Sequence, residues 1–265
     1  MPPLPANSLT QACQHRTDRA LAPDPRRPAF TLIELLVVVG VLVFLIALLV
    51  PALYKAQRQA RTITCLSNLR QLHLGFTTYI NRNPDRSLSY DPVNGAFWLN
   101  TLGGSLPDVP GLRLCPDAST PSYGWGSAKL AWGPFDPSHG SPSSMSFIGN
   151  NSSSYGFNGW LYSTPDDADG SRTLFRLRNS DRIPVFADAN WAEGWPTTGE
   201  SGPRNLNLGS TPGESDLGRF SLARHGQAVN VAFLDGHAEQ VSLERLRRFR
   251  WSSSEHAQPP AARLK

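Results

Sequence analysis

The chain has 265 residues, 40% of them hydrophobic, enough for one large or two small domains with a sizeable core. Its 25 Lys and Arg against 21 Asp and Glu leave a formal charge of only +4. No block of sequence concentrates that charge, which excludes the dense basic face that phosphate recognition requires, so no nucleic-acid partner is expected. With 22 Gly and 23 Pro, the composition points to a loop-rich fold containing strands and away from a helix bundle.

In chain order, the first 29 residues carry Arg16, Arg19, Arg26 and Arg27 against Asp18 and Asp24. From Leu35 to Val50 every residue is apolar or Gly, and the run extends from Phe30 to Leu53 with Thr31, Glu34 and Pro51 as its interruptions. As a helix this stretch would span about 36 Å, enough to cross a hydrocarbon layer of roughly 30 Å. Arg26 and Arg27 precede it while Lys55, Arg58 and Arg61 follow it, so positive charge alone does not fix its orientation. Glu34 is the anomaly, because a carboxylate within a span costs about 2.5–3.5 kcal/mol unless it finds a partner. A cut between Ala29 and Phe30 would create a free α-amine four residues earlier, able to neutralise the Glu34 of a neighbouring subunit. The helix dipole also favours an acid in the first turns.

The stretch Arg26-Arg27-Pro28-Ala29-Phe30-Thr31-Leu32-Ile33-Glu34-Leu35-Leu36-Val37-Val38 resembles the cleavage and methylation signal of type IV prepilins and type II secretion pseudopilins. That resemblance implies cutting by a prepilin peptidase after Ala29, N-methylation of Phe30, and Glu34 as the assembly carboxylate. It implies other pilin or pseudopilin subunits as partners, and Pro51 at a place where pilin helices often bend. One position departs from the pattern: Ala29 stands where the family usually has Gly. An ordinary secretory signal, a twin-arginine signal on Arg26 and Arg27, and a plain single-span anchor are the rival readings. The first calls for a shorter apolar run without Glu34, and Pro28 and Ala29 displace the first apolar residue of the second.

Cleavage would remove Cys13 and leave Cys65 and Cys115, a number compatible with one disulfide in an oxidising compartment. Beyond Pro51, Ala56, Ala60, Ile63, Leu66, Leu69, Leu72, Phe76 and Ile80 recur at helical spacing. They describe a stripe that would lie on a sheet, with Asn83-Pro84-Asp85 as the stop and His73 as a buried or edge histidine. Residues 84–160 are rich in Pro, Gly, Ser and Asn, and Ser138 to Ser154 reads as a surface loop. Tyr155 to Tyr162 and Ile183 to Asp188 are the strand candidates. The seven tryptophans all follow the helix; they either pack over a thin core or present an exposed face for sugars.

Val229, Val231 and Phe233 alternate before Asp235-Gly236, and Val241 and Leu243 after it, the signature of a hairpin. A two-residue Asp-Gly turn would put Val229 to Phe233 opposite Ala238 to Ser242; a three-residue loop with Gly236 as the bulge instead pairs Phe233 with His237 and puts Val229, Val231, Phe233 and Val241 on one face, and is the preferred register. His225, Asp235 and Gly236 together resemble the H-x9-DG signature of one large group of prepilin-like proteins, and the Asn-Ser-rich approach to Ser154-Tyr155-Gly156-Phe157-Asn158 is similar to that group as well. An extended strand between them would hold His225 and Asp235 roughly 20 Å apart, so Asp235 reads as a turn residue and His225 as a capping or hydrogen-bonding residue at the start of the strand. A metal cluster of Asp188, Asp235 and His237 is conceivable, because two apolar strands end in Asp, but no metal ligand set, cofactor or catalytic constellation is assigned, and the chain does not read as an enzyme. Leu243 to Phe249 reads as a short helix whose arginines face solvent.

The resulting organisation is a leader over 1–29, a transmembrane half-helix over 30–53, an amphipathic half-helix over 54–82, an extracytoplasmic loop-rich β domain over 83–251 and a tail over 252–265 that looks disordered. The fold class is α+β and pilin-like, a long spine helix packed on a small antiparallel sheet. The expected function is a structural or accessory subunit of a type IV pilus-like or type II secretion assembly. Its place would be a single pass of the inner membrane with a periplasmic C-terminal domain, or a filament after assembly. A membrane-anchored carbohydrate-binding protein is the alternative.

Overall fold

The computed structural model describes residues 30–83, 88–91, 94–106, 111–141, 143–163, 180–197, 199–211 and 213–252. The leader with Cys13 and Ala29, Pro84 and Asp85 of the helix stop, and the tail from residue 253 lie outside them. The fold is α+β, and it divides at Pro51 into two compact units.

In the first unit, helix α1 (Leu32–Arg82) begins with a reciprocal cap. The Thr31 N–H and Oγ1–H both donate to Glu34 Oε2, at 2.9 and 2.8 Å, and the Glu34 N–H donates to Thr31 Oγ1 at 3.3 Å. This is the Thr-x-x-Glu capping box, which satisfies donors that the first helical turn leaves open. All residues from 30 to 61 are exposed, so no described residue covers a stretch long and apolar enough to cross a membrane. Pro51 sits inside the helix.

In the second unit, the rest of α1 buries Cys65, Asn68, Leu69, Leu72, Gly75, Phe76 and Ile80. The buried stripe therefore starts later than the sequence spacing indicates: Ala56, Ala60 and Ile63 are exposed, and Cys65 and Asn68 take up the inward face. Phe76 anchors the helix on the sheet, its ring 5.7 Å from that of Phe157 and edge-on to Phe186 at 6.1 Å.

The main sheet has the order β5-β3-β4-β6-β7, formed by β3 (Tyr155–Asn158), β4 (Pro184–Asp188), β5 (Glu193–Gly194), β6 (Ala228–Phe233) and β7 (Ala238–Ser242). It is mixed, not purely antiparallel as expected. The chain leaves β4 where Tyr155 pairs with Asp188 and crosses the start of β3. It then runs alongside β3 on the far side, pairing Phe157 with Glu193 in parallel. Gly156 allows this close passage, since a Cβ there would come within 2.6 Å of the Trp191 carbonyl oxygen. The β6–β7 hairpin has the three-residue register: the Phe233 N–H donates to the His237 carbonyl at 2.9 Å, with Gly236 at φ 94°. Val229, Val231, Phe233 and Val241 are all fully buried.

A small parallel pair, β1 (Thr120–Pro121) and β2 (Leu130–Ala131), and the short helices α2 (Trp98–Leu102), α3 (Leu217–Phe220) and α4 (Leu243–Leu246) complete the described elements. The Ser-rich segment expected as a surface loop is partly internal. It forms 3-10 turns over Ser143–Ile148, buries Met145 and Ile148, and buries Ser153 and Ser154 completely. Their hydroxyls make burial tolerable, with Ser153 Oγ donating to the Arg113 carbonyl at 2.8 Å. Six of the seven tryptophans are buried, and the indole N–H groups of Trp98, Trp132 and Trp160 donate to the carbonyls of Ala192, Tyr155 and Pro196. Trp125, the part-exposed one, is stacked on Trp191 at 4.0 Å. An exposed aromatic platform of the kind a sugar-binding face needs is not formed by these side chains.

Glu193 on β5 is buried, and burial pushes its carboxyl up to about 8 against the pull of Arg219, whose guanidinium is engaged at 2.9 Å by Asp216. The native state thus retains a proton that the unfolded chain releases near its ordinary 4.5, so stability declines as pH rises between those values and levels off above about 8. Glu193→Gln should flatten that decline and raise the melting temperature at pH 8 while changing little at pH 4. Thermal melts followed by circular dichroism at both pH values check it; an equal shift at the two would contradict it.

Candidate functional site

The site is a buried polar cluster where four distant segments meet: the start of the buried stripe of α1, the turn around Cys115, the end of β4 and the turn before β6. Cys65, Cys115 and Asp188 are completely buried and His225 nearly so. Their donor atoms all lie within 4.8 Å of one another. The Cys65 S–H donates to Asp188 Oδ1 at 3.5 Å, Cys115 Sγ lies 3.2 Å from His225 Nε2, and that nitrogen lies 3.3 Å from Asp188 Oδ2.

Each side chain is held from behind. Arg224, fully buried, donates from Nη1 to Asp188 Oδ1 at 2.9 Å and to the Ser154 carbonyl at 2.8 Å, and from Nη2 to the Ser127 carbonyl at 2.6 Å. The Asn230 N–H donates to Asp188 Oδ2 at 2.7 Å. The Tyr155 hydroxyl donates to Cys65 Sγ at 3.3 Å, and Asn68 Nδ2 reaches that hydroxyl at 3.4 Å. On its other side, His225 Nδ1 lies 3.1 Å from Asp117 Oδ2, and Arg61 braces Asp117 at 3.2 Å.

The backbone makes an effort to put the imidazole there. His225, Gly226 and Gln227 have φ of 45°, 76° and 66°, three successive left-handed residues of which two carry a Cβ, a conformation that costs about 1–2 kcal/mol for each such residue. Gln240 Nε2 donates to the His225 carbonyl at 2.9 Å and fixes the turn against β7.

The electrostatics follow from burial and pairing. Burial alone would raise the Asp188 carboxyl, but Arg224, His225 and the Asn230 N–H hold it down at about 2. Burial alone would lower the His225 imidazole, but its contacts with Asp188 and Cys115 raise it to about 10. The neighbouring Cys65 side chain pulls the Cys115 thiol down to about 6 against burial, while burial pushes Cys65 well up. Cys115 and His225 together thus have the polarity of a thiolate and an imidazolium. A nucleophile has to reach its substrate, however, and both sulfurs are sealed. A cleft of about 630 Å³ borders the cluster, walled by His225, Asp117, Arg224, Arg61, Arg58 and Lys129 among others, and neither cysteine lines it.

The sequence-derived residues are distributed in three places. Phe30 and Glu34 belong to the exposed start of α1. Asp235 and Gly236 form the hairpin turn, with Asp235 Oδ1 accepting from the His237 N–H at 3.1 Å and lying 2.6 Å from its Nδ1. His225 is more than a residue at the start of a strand: it joins Asp188, Cys65 and Cys115. The conceivable grouping of Asp188 with Asp235 and His237 does not form, because Asp188 is drawn inward by Arg224 while Asp235 is engaged by its own turn. The two cysteines are brought together, as a bridge would require, yet they are free thiols, each turned toward an acid or imidazole partner. Arg224 and Asp117 were missed. The adjacent Arg224-His225 pair ahead of an apolar strand, and an apolar strand ending in Asp188, are the signals that point to the cluster.

No family model, no curated protein and no solved structure matches the chain.

Removing the central carboxylate should expose its role. Asp188→Asn leaves Arg224 buried without its counter-charge and should cost about 3–5 kcal/mol, whereas Asp235→Asn, in an exposed turn, should cost about 1 kcal/mol. Urea unfolding of the detergent-solubilised chain followed by tryptophan fluorescence measures both; similar losses for the two would contradict the assignment.

Proposed function

We propose that the chain is a prepilin-like structural or accessory subunit of a type IV pilus-like or type II secretion assembly. The observation that carries this reading is the exposed apolar stretch of α1, which opens on Glu34 and continues into the turns that pack on the sheet. An apolar surface of that length needs lipid or other subunits to cover it, and a helix whose other half is built into a globular unit suits a subunit whose protruding part is shared between membrane and filament.

Cleavage by prepilin peptidase after Ala29 would leave Phe30 as a methylated N terminus two residues before the first helical residue. Glu34 Oε2 is occupied by the Thr31 capping bonds, whereas Oε1 takes no bond among the described residues. Capping therefore orients the carboxylate with one oxygen available to the α-amine of a neighbouring subunit. The soluble unit would stand on the periplasmic side of the inner membrane. This reading has no catalytic step.

Mass spectrometry of the mature chain should find an N terminus at methylated Phe30, and Phe30 should be unprocessed in cells lacking the peptidase. Glu34→Gln should retain processing and the folded soluble unit while reducing cross-linking to neighbouring subunits by at least several-fold. An intact Met1, a cut near Ala52, or undiminished cross-linking of the Gln variant would overturn the reading.

A further inference from the structure

We propose that Cys65, Cys115, Asp188 and His225 form a closed, four-coordinate structural site for a zinc-class divalent cation. The inference rests on the soluble unit alone and does not depend on the role of the N-terminal helix.

Donor type comes first. Two sulfurs, one imidazole nitrogen and one carboxylate form a mixed soft and borderline set, suited to zinc and unsuited to calcium or magnesium, which take oxygen ligands. Geometry comes second. A tetrahedral ion with metal–sulfur distances near 2.3 Å and metal–nitrogen or metal–oxygen distances near 2.0–2.1 Å holds its ligands roughly 3.3–3.8 Å apart. The separations of 3.5 Å from Cys65 Sγ to Asp188 Oδ1, 3.2 Å from Cys115 Sγ to His225 Nε2, and 3.3 Å from that nitrogen to Asp188 Oδ2 are close to those edges, and with one oxygen of Asp188 as ligand the four donor atoms lie within 4.8 Å of one another, so that small side-chain shifts close the tetrahedron.

The surroundings supply what a metal site requires beyond its ligands. A ligating histidine commonly donates its second ring N–H to a carboxylate, which fixes the tautomer. Here His225 Nδ1 faces Asp117 Oδ2 at 3.1 Å, leaving Nε2 directed at the cluster. Asp188 has two oxygens; one can bind the ion while the other keeps a bond from Arg224 or from the Asn230 N–H. Tyr155 supports the Cys65 sulfur. Charge also closes: two thiolates and one carboxylate are matched by a divalent cation and the buried guanidinium of Arg224, with His225 neutral. Binding would release the thiol and imidazolium protons.

Burial on all four ligands makes the site structural, since a catalytic zinc keeps a coordination position for water or substrate. The cleft on the His225 and Asp117 side gives an approach for the ion without exposing the sulfurs. The site would clamp α1, the Cys115 turn, β4 and the turn before β6 to one point, which accounts for the strained backbone at His225. It is also the alternative fate of the paired thiols: the same two sulfurs either bind a metal or join to each other.

The test uses the full chain in detergent, reduced, stripped with a chelator, and titrated with Zn²⁺ alone or Co²⁺ alone. The expected result is stoichiometric zinc by elemental analysis, and a Co²⁺ spectrum with thiolate-to-cobalt charge-transfer bands and the intense visible bands of tetrahedral coordination. Cys115→Ser and His225→Ala should weaken binding by at least tenfold, His225→Cys should restore it, and His237→Ala should leave it unchanged. Because the cobalt spectrum is read on the unaltered chain, misfolding of a variant cannot decide the outcome. Absence of thiolate–cobalt bands in that chain, or isolation of the protein with Cys65 and Cys115 quantitatively joined in a disulfide, overturns the proposal.

Discussion

A carboxylate with no access to water has to be answered by its neighbours, and Asp188 at the end of β4 imposes that condition on the whole soluble unit. Its two oxygens receive the guanidinium of Arg224, the backbone N–H of Asn230 on β6, the Cys65 thiol on α1 and the imidazole of His225. These answers come from the turn before β6, which supplies both Arg224 and His225, from β6 itself and from α1. An ionised group left unpaired in such a place would cost several kcal/mol, so the strands, the helix and the turn before β6 have little freedom to shift independently. Apolar packing such as the Phe76 anchor, hydrogen-bonded buried serines and a second buried polar group at Glu193, Asp216 and Arg219 surround this point.

The N-terminal helix poses the opposite problem. Its first half offers nothing polar for the chain to answer except Glu34, and the Thr31–Glu34 capping box meets that need within one turn. What remains is an apolar surface that no described residue covers, whereas the globular unit buries most of its described large aromatic side chains. The two halves of one helix therefore differ in exposure, the first apolar and exposed and the second packed on the sheet, and this division is the physical basis of the proposed role. Local capping and assembly are compatible uses of Glu34, since the cap engages one of its oxygens.

Much of this was legible in the sequence for reasons that are local. A run without polar residues from Leu35 to Val50 marks an apolar helix, and alternation around Asp235-Gly236 marks a hairpin, of whose two registers the three-residue one collects the apolar residues on one face. The inward stripe of α1 was legible from Leu69 to Ile80, where period and burial agree. It was misplaced at Ile63 because burial there is decided by what the loops bring to Cys65 and Asn68, and no spacing rule contains that. The parallel strand β5 was not foreseen: two residues, Glu193 and Gly194, are too few for any pattern. The cluster itself was visible only in fragments. Cys65, Cys115, Asp188 and His225 lie at separations of 37 to 160 residues along the chain, and the sequence offers the cysteines as a bridge, His225 as a cap, and Asp188 only as a strand end conceivably grouped with Asp235 and His237. Their convergence depends on the path of β4 past β3 and on three consecutive left-handed residues, which are tertiary facts.

The Asp188 cluster should be the most firmly held part of the globular unit, and hydrogen exchange at the backbone N–H of Asn230 tests this most directly. That group donates to Asp188 Oδ2 at 2.7 Å. It should exchange only by global unfolding, at the rate of the slowest amides of β6 and with the same dependence on denaturant. Exchange faster than those amides, through a local opening insensitive to denaturant, would contradict the account.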